Sequence, residues 1–195
     1  MADEAISDIS ICSSALIKLG QEPIQSLSDD TKNARMCNNR FAYIRNSVLE
    51  SYEWSFATKI ADLALLSIPT PPTLSINPNL PYLYAAPADL LKIIHGSDLY
   101  DDYELADGVI YGRYSPMSIK YTWHNTNSAS YSYCGAECIA WRLAADLAYA
   151  LTNSQPTAEA MAKGYEMELR NARYSDSHKK NPQTLVADDC IRSRF

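Results

Sequence analysis

Three side chains in the second half of the sequence have the chemical types that catalysis or metal binding requires. Cys134 and Cys138 are four residues apart, so a helix would place both thiols on one face, and His124 lies upstream. Structural zinc needs four ligands, and the sequence holds no second pair at ligand spacing. A nucleophilic cysteine with His124 as its base is an alternative that no local signature supports. The pattern favours small buried thiols along a packed helix.

A second candidate is an acidic run that could suggest calcium, formed by Asp98, Asp101, Asp102, Glu104 and Asp107. The run lacks the Asp-x-Asp-x-Asp-Gly spacing and the closing glutamate of a calcium loop, so it predicts a solvated loop and hairpin. Motifs for nucleotide binding, serine hydrolysis and zinc proteolysis are also missing from the sequence. We therefore expect no enzyme activity, no metal and no cofactor.

Tyrosines recur between Tyr82 and Tyr133, where aromatic rings could stack on nucleic-acid bases. A base-stacking platform also needs interleaved cations, and this stretch offers only Lys92, Arg113 and Lys120. Tyrosine is equally suited to protein interfaces, because it combines an apolar ring with a polar tip. The composition of this stretch favours a protein interface over a nucleic-acid platform.

The amino-acid composition limits the classes of protein to which the chain can belong. The chain has 195 residues, 47% hydrophobic and 21% charged, and its 17 basic and 23 acidic side chains give a net charge of −6. These values indicate one soluble globular domain and argue against a general nucleic-acid binder. No apolar run approaches the roughly 20 residues that a bilayer requires. An acidic start and five cysteines, an odd count, favour a reduced intracellular compartment over export.

Hydrophobic periodicity predicts a mainly α protein with an α+β character, built as a helical bundle of four to five helices with a small inserted antiparallel β element. The predicted helices cover residues 3–19, 30–66, 136–153 and 156–176. The second of these is expected to bend near Ser55. The third is rich in alanine and apolar on both sides, so we expect it to lie in the middle of a packed structure.

The remaining segments are a loop, the β element and a tail. Residues 67–88 form a proline-rich loop, which we expect to lie on a surface because it also carries large apolar side chains. Residues 89–125 form the β element, in which Asp107-Gly108 predicts a type I′ hairpin turn. One domain therefore spans residues 1–178, followed by an extended C-terminal arm over residues 179–195.

Two groups of residues are candidates for contacts with other proteins. The candidate subunit-interface residues lie in the proline-rich loop and the alanine-rich helix: Leu74, Ile76, Leu80, Tyr82, Tyr84 and Trp141. The candidate binding residues of the arm are Lys179, Lys180, Leu185, Val186, Arg192, Arg194 and Phe195. The arm is either an ordinary frayed terminus or a basic segment that becomes ordered on an acidic partner.

The first sixty residues carry a recognisable pattern. It consists of ALIKLGQEPIQSL at 15–27, DDT at 29–31, NAR at 33–35 and WSFATK at 54–59. These segments resemble the start of the head-to-tail adaptor proteins of short-tailed bacteriophages, the tail tubular protein A group. Later features are compatible with the same family, among them YAAPADL at 84–90 and LAYALT at 147–152.

The resemblance implies a helical bundle with a small β element that assembles as a dodecameric ring below the portal protein. Genomic DNA would pass through the ring without specific binding, and the tail nozzle protein would attach underneath. The protein would be a structural virion component at the head-tail junction, made in the host cytoplasm, and its C-terminal arm would bind the portal. One alternative is a monomeric or dimeric helical binding or regulatory module that uses a tyrosine-rich β face. Another is a thiol-dependent enzyme built on Cys134 or Cys138.

Overall fold

A computed structural model describes residues 5–66, 79–96 and 103–179. Within these residues the chain forms four α-helices and two three-stranded antiparallel sheets. The helices are α1 (Asp8–Lys18), α2 (Lys32–Glu50), α3 (Tyr133–Thr152) and α4 (Gln155–Ser177). The strands are β1 (Thr58–Asp62), β2 (Tyr82–Ala85), β3 (Leu90–Gly96), β4 (Tyr103–Ala106), β5 (Val109–Gly112) and β6 (Ser118–Trp123). Short 3-10 turns occupy Ser55–Ala57 and Ser128–Ser130.

The prediction of a mainly helical bundle with a small β insert is wrong. The structure is an α+β fold, in which the described residues are about 50% helical and 20% strand and the two sheets form a second packed unit beside the helices. Two strands lie in segments that the sequence pattern assigned elsewhere: β1 falls within the predicted helix 30–66, and β2 falls within the predicted loop 67–88.

The predicted helix 30–66 ends at Glu50 because its last carbonyls find other partners. If the helix continued, the carbonyl of Val48 would bond the amide of Tyr52. It instead accepts hydrogen bonds from Ser51 Oγ and from the indole Nε1 of Trp54, each at 2.8 Å. Trp54 is fully buried, so its folding back onto the end of α2 is stabilised by packing as well. The apolar residues after Trp54 then enter a strand.

Helices α3 and α4 agree with the predicted positions to within three residues, and α1 ends within one residue of its predicted end but begins at Asp8, five residues later than predicted. The N-termini of these helices are capped by polar side chains. Ser7 and Ser10 form a reciprocal capping box at the start of α1. Gly20, predicted as the residue that terminates this helix, has φ +68° and donates its amide to the carbonyl of Ile17 at 2.9 Å. The amide of Gln21 bonds the carbonyl of Leu16 at 2.9 Å, which completes a Schellman motif.

Helix α3 lies at the centre of the helical part, as its alanine-rich sequence predicted. Glu137 pairs with Lys18 of α1 at 2.6 Å, and Asp146 pairs with Arg40 of α2 through bonds of 2.7 and 3.0 Å. Helix α4 packs along a third side, so the helices that bury α3 come from the same chain. These contacts do not need a neighbouring subunit.

The two sheets pack around a small apolar core of their own. The first sheet has the strand order β1-β6-β3 and the second β2-β5-β4. Their shared core consists of Tyr84, Ile93, Ile110, Met117, Ile119 and Tyr121. Asp107 and Gly108 connect β4 to β5 with φ of 51° and 73°, which confirms the predicted type I′ turn. None of the helices in the described residues combines the length and the apolarity that crossing a bilayer demands.

Candidate functional site

The structure does not assemble the two cysteines and the histidine into a catalytic set. Cys138 is fully buried on α3, where burial raises the pKa of its thiol to about 12, so the thiol stays protonated at neutral pH. Cys134 is half-buried, with its Sγ 3.8 Å from Ser175 Oγ. His124 lies against Arg45 instead, with 2.8 Å between the guanidinium Nη2 and the imidazole Nε2. These contacts supply no base to either thiol.

The acidic run gives no support for a metal site. Asp98, Asp101 and Asp102 lie outside the described residues, while Glu104 lies on β4 and Asp107 in the following turn. Over residues 5–66, 79–96 and 103–179, no three histidine, cysteine, aspartate or glutamate groups lie close enough together to hold a metal ion.

Several of the tyrosines in the middle of the chain act inside the fold. The hydroxyl of Tyr84 bonds the carbonyl of Tyr114 at 2.7 Å, and that of Tyr121 bonds Asp89 Oδ1 at 3.0 Å. The buried Tyr131 bonds the carbonyl of Asn125 at 2.6 Å. These three hydroxyls therefore act within the fold, whereas Tyr114 and Tyr133 of the same stretch are exposed.

The segment WSFATK, on which the family resemblance partly rests, has structural roles. Lys59 extends from β1, forms an ion pair of 2.7 Å with Asp89, and lies 3.6 Å from the ring centroid of Trp123. Asp89 also accepts the hydrogen bond of Tyr121, and Lys59 together with that bond holds the pKa of the carboxyl below its usual range. These residues fasten the start of β3 to β1 and β6.

The buried Arg45 joins the helical part to the sheets. Its side chain extends from α2, is 6% exposed, and donates to Asn46 Oδ1 at 3.1 Å as well as to His124 at the end of β6. A guanidinium has only donors, so the Nε2 atom of His124 must accept this hydrogen bond. Arg45 therefore positions the junction between the two halves of the molecule, a role that its place in the sequence pattern of α2 did not reveal.

The predicted interface residues are placed mostly inside the chain. Leu80 and Tyr84 are buried, and Tyr82 is half-buried in β2. Trp141 is half-buried, with Lys18 Nζ 5.2 Å from its ring and Gly164 beneath it. Leu74 and Ile76 lie outside the described residues. Of the predicted arm, Lys179 is exposed just beyond α4, and the others lie outside the described residues: Lys180, Leu185, Val186, Arg192, Arg194 and Phe195.

A first exposed apolar surface, here called the α1 face, was not predicted from the sequence. Ile17 is 62% exposed and Tyr133, at the start of α3, is 68% exposed. The serines Ser10 and Ser14 lie between them and line two shallow grooves, of about 190 and 460 Å³, on the two sides of α1. The hydroxyls of Ser10 and Ser14 already bond Ser7 and Glu137 within the chain, so the α1 face is characterised by its two large exposed apolar side chains.

A second exposed apolar surface, the α4 face, lies on the outer side of α4. Met167 is 60% exposed and Tyr174 is 69% exposed, with exposed Lys163 and Arg170 on the same helix. The spacing of seven residues between Met167 and Tyr174 places both on one stripe, opposite the residues that pack on α3. The seven-residue spacing can be seen in the sequence. It did not indicate an exposed face, because the stripe of Met161, Tyr165 and Leu169 is enough to predict the helix and its buried side.

Comparison with protein-family models finds no match for this chain, and no curated protein matches it either.

Proposed function

We propose that the protein is a structural head-to-tail adaptor whose copies form a ring, which joins the portal to the tail nozzle and lets DNA pass. The observation that carries the proposal is the presence of two different exposed apolar faces on one chain. The α1 face contains Ile17 and Tyr133, and the α4 face contains Met167 and Tyr174. The resemblance of residues 15–59 to phage adaptors supplies the identity of the assembly.

Two different faces are what a ring requires. In a two-fold dimer, the same patch of each subunit meets itself, whereas a closed ring joins one patch to a different patch on the next copy. Helices α1 and α4 both pack on α3, and they contact it through different residues, Glu137 for α1 and Arg142 for α4. The α1 and α4 faces are two of several places in the described residues where large apolar side chains are exposed, and each is a candidate for a protein contact.

The charge of the chain supports the same proposal. With a net charge of −6, subunits that surround DNA repel its phosphates, so the genome can slide through the ring without sticking. The proposed location is the head-tail junction of the virion, after synthesis in the host cytoplasm. The alanine-rich helix α3, however, no longer supports ring packing, because its neighbours belong to its own chain.

The first experiment measures native mass by mass spectrometry, on the protein alone and with the portal of the phage that encodes it. We expect a defined ring of many copies with the portal, whether or not the protein alone is monomeric. A protein that stays a monomer or dimer and does not bind the portal would contradict the proposal and would favour the binding-module alternative.

Variants of the α4 face test the ring contact directly. Replacing Met167 and Tyr174 together by glutamate should prevent ring formation, since burying two carboxylates without partners costs several kcal/mol. The matched control is Tyr149→Glu, which changes a tyrosine of α3 that is 59% exposed and lies on neither face. Both variants should keep the circular dichroism and thermal unfolding of the unmodified protein. Rings that form equally well with both variants would exclude the α4 face from the contact.

The arm is tested separately from the ring contact. A chain truncated after Lys179 keeps the whole of α4, so it should fold, and we expect it to bind the portal at least tenfold more weakly than the full chain. A second variant replaces Arg192 and Arg194 by serine in the full chain, which tests the basic end alone. Unchanged portal affinity of the truncated chain would exclude the arm as the portal-binding segment.

A further inference from the structure

Strand β1 forms an open edge of the first sheet. In the described residues its neighbour in the sheet is β6, on one side, and the order β1-β6-β3 leaves the outer side of residues 58–62 at the edge. Beyond Asp62 the same side of the chain is bonded to β2, through the carbonyl of Ala64 and the amide of Leu66, so the open edge is limited to β1 itself. At the middle of this strand Ile60 is 76% exposed, the highest value for a large apolar side chain in the described residues. An exposed edge strand with an apolar side chain is a template for pairing with another extended segment.

The hydrogen bonds show which backbone groups of β1 are available for such pairing. The amide of Leu63 bonds the carbonyl of Met117 at 2.9 Å, and the register pairs Ala61 with Ile119 and Lys59 with Tyr121. Inward and outward residues alternate along an antiparallel strand. Consequently Lys59 and Ala61 direct their amides and carbonyls toward β6, and those of Thr58, Ile60 and Asp62 point outward from the sheet.

The end of α4 lies close to this edge. Asp176 accepts hydrogen bonds from the amide of Ser55 at 3.0 Å and from its hydroxyl at 2.6 Å. Ser55 precedes Thr58 by three residues, and Lys179 follows Asp176 by three, so Lys179 lies roughly 20 Å or less from the start of β1. The sixteen residues from Lys180 to Phe195 continue from that point. An extended segment from Lys180 to Leu185 reaches about 20 Å, which is enough to bring Val186 to the edge.

The tail contains one short segment with the composition of a strand. Residues 184–187 read Thr-Leu-Val-Ala, preceded by Pro182 and followed by Asp188 and Asp189. Threonine and valine are β-branched and favour extended backbone, while proline and aspartate are disfavoured in strands. Side chains alternate along a strand, so one of Leu185 and Val186 would lie on the face of the sheet that carries Ile60.

We propose that residues 184–187 of the same chain add to β1 as a further strand of the first sheet. The outward amides and carbonyls of β1 bond the backbone of the added segment, and Ile60 is covered by an apolar side chain of the tail. This pairing is formed in the isolated subunit and does not depend on the proposed adaptor function.

Amide hydrogen exchange measured by NMR for each residue tests the pairing. We compare the full chain with a chain truncated after Lys179, both as dilute monomers. In the full chain, the outward amides of Ile60 and Asp62 should exchange at least about tenfold more slowly than in the truncated chain. The inward amide of Ala61 should exchange equally in both, since its bond to β6 is unaffected. Equal rates for Ile60 in the two chains would overturn the proposal.

Proline variants of the tail provide the matched comparison. Leu185→Pro combined with Val186→Pro removes both amides of the proposed strand, so Ile60 should exchange as in the truncated chain. The control, Ile191→Pro with Ser193→Pro, changes the same number of tail residues outside the segment and should leave Ile60 protected. If Ile60 is protected only at high protein concentration, the added strand comes from another copy and the proposed pairing within one chain is wrong.

Discussion

The carboxylate of Asp176, in the last turn of α4, accepts a hydrogen bond from the backbone amide of Ser55 at 3.0 Å and another from its hydroxyl at 2.6 Å. These two residues are 121 positions apart in the sequence, and Asp176 is 2% exposed. The contact ties the end of the helical part to the short 3-10 turn that leads from α2 into β1. A buried carboxylate bound in this way stabilises the fold because its hydrogen bonds are charge-assisted.

Replacing Asp176 with asparagine should therefore lower the free energy of unfolding by about 1–3 kcal/mol, since the buried hydrogen bonds lose their charge. Urea unfolding followed by circular dichroism measures this change. The control is Asp30→Asn, in which the carboxylate is 95% exposed and its ion pair with Arg35 should contribute less than about 1 kcal/mol. Equal midpoints for the two variants would show that the Asp176 contact is not important for stability.

The close approach of α4 to α3 depends on Gly164. A Cβ added at this position would lie 2.3 Å from Cζ3 of the Trp141 ring, a distance at which the helix or the indole must move. Gly164→Ala should lower the free energy of unfolding by about 1–3 kcal/mol, although alanine has the higher helix propensity. Differential scanning calorimetry of this variant, beside the exposed neighbour Lys163→Ala, measures the effect. If Gly164→Ala instead raises the free energy of unfolding, the indole of Trp141 must move aside without a cost in stability.

The helices were predictable because local signals mark them. The capping serines, the apolar stripes and Gly20 act within a few residues of one another, so sequence pattern alone placed α3 and α4 to within three residues and the end of α1 to within one. The Asp107-Gly108 turn was predictable for the same reason, since positive φ at two successive residues strongly selects this pair.

The strands β1 and β2 could not be predicted from local signals in the same way. Trp54, Ala57 and Ile60 follow helical spacing, and the end of α2 is decided by a tertiary hydrogen bond from the indole of Trp54 to Val48. Strand β2 lies in a proline-rich segment whose pairing with β5 depends on residues more than twenty positions away. The exposure of individual side chains on α4 could not be predicted either. No local pattern distinguishes the outward Met167 from the inward Met161 until α4 is placed on α3.

Thiol labelling should follow the burial of the cysteines. Of the four cysteines in the described residues, Cys134 alone is not fully buried, and burial raises the pKa of Cys138 to about 12. A maleimide reagent at neutral pH should therefore modify Cys134 faster than Cys12, Cys37 or Cys138, because the reactive form is the exposed thiolate. Mass spectrometry of digested protein gives the order, and labelling in urea provides the fully accessible reference. Rapid modification of Cys138 would show that α3 opens readily.

Tyr121 should make the protein lose stability at alkaline pH. Burial, together with the hydrogen bond to Asp89, raises the pKa of its phenol to about 12, whereas an unfolded tyrosine ionises near pH 10. The protonated phenol of Tyr121 contributes fully to the free energy of unfolding below about pH 10. This contribution is lost as the pH rises from about 10 to 12, because the unfolded chain releases the proton at the lower pH.

The variant Tyr121→Phe should flatten the decline of stability between about pH 10 and 12, since phenylalanine has no proton to release. At neutral pH it should cost about 1 kcal/mol for the lost bond to Asp89. Urea midpoints measured across the alkaline range test both effects, and tyrosinate absorbance reports the ionisation itself. Tyr149→Phe removes an exposed phenol and should leave the alkaline slope unchanged. If Tyr121→Phe leaves it unchanged as well, the phenol of Tyr121 does not stay protonated in the folded protein above pH 10.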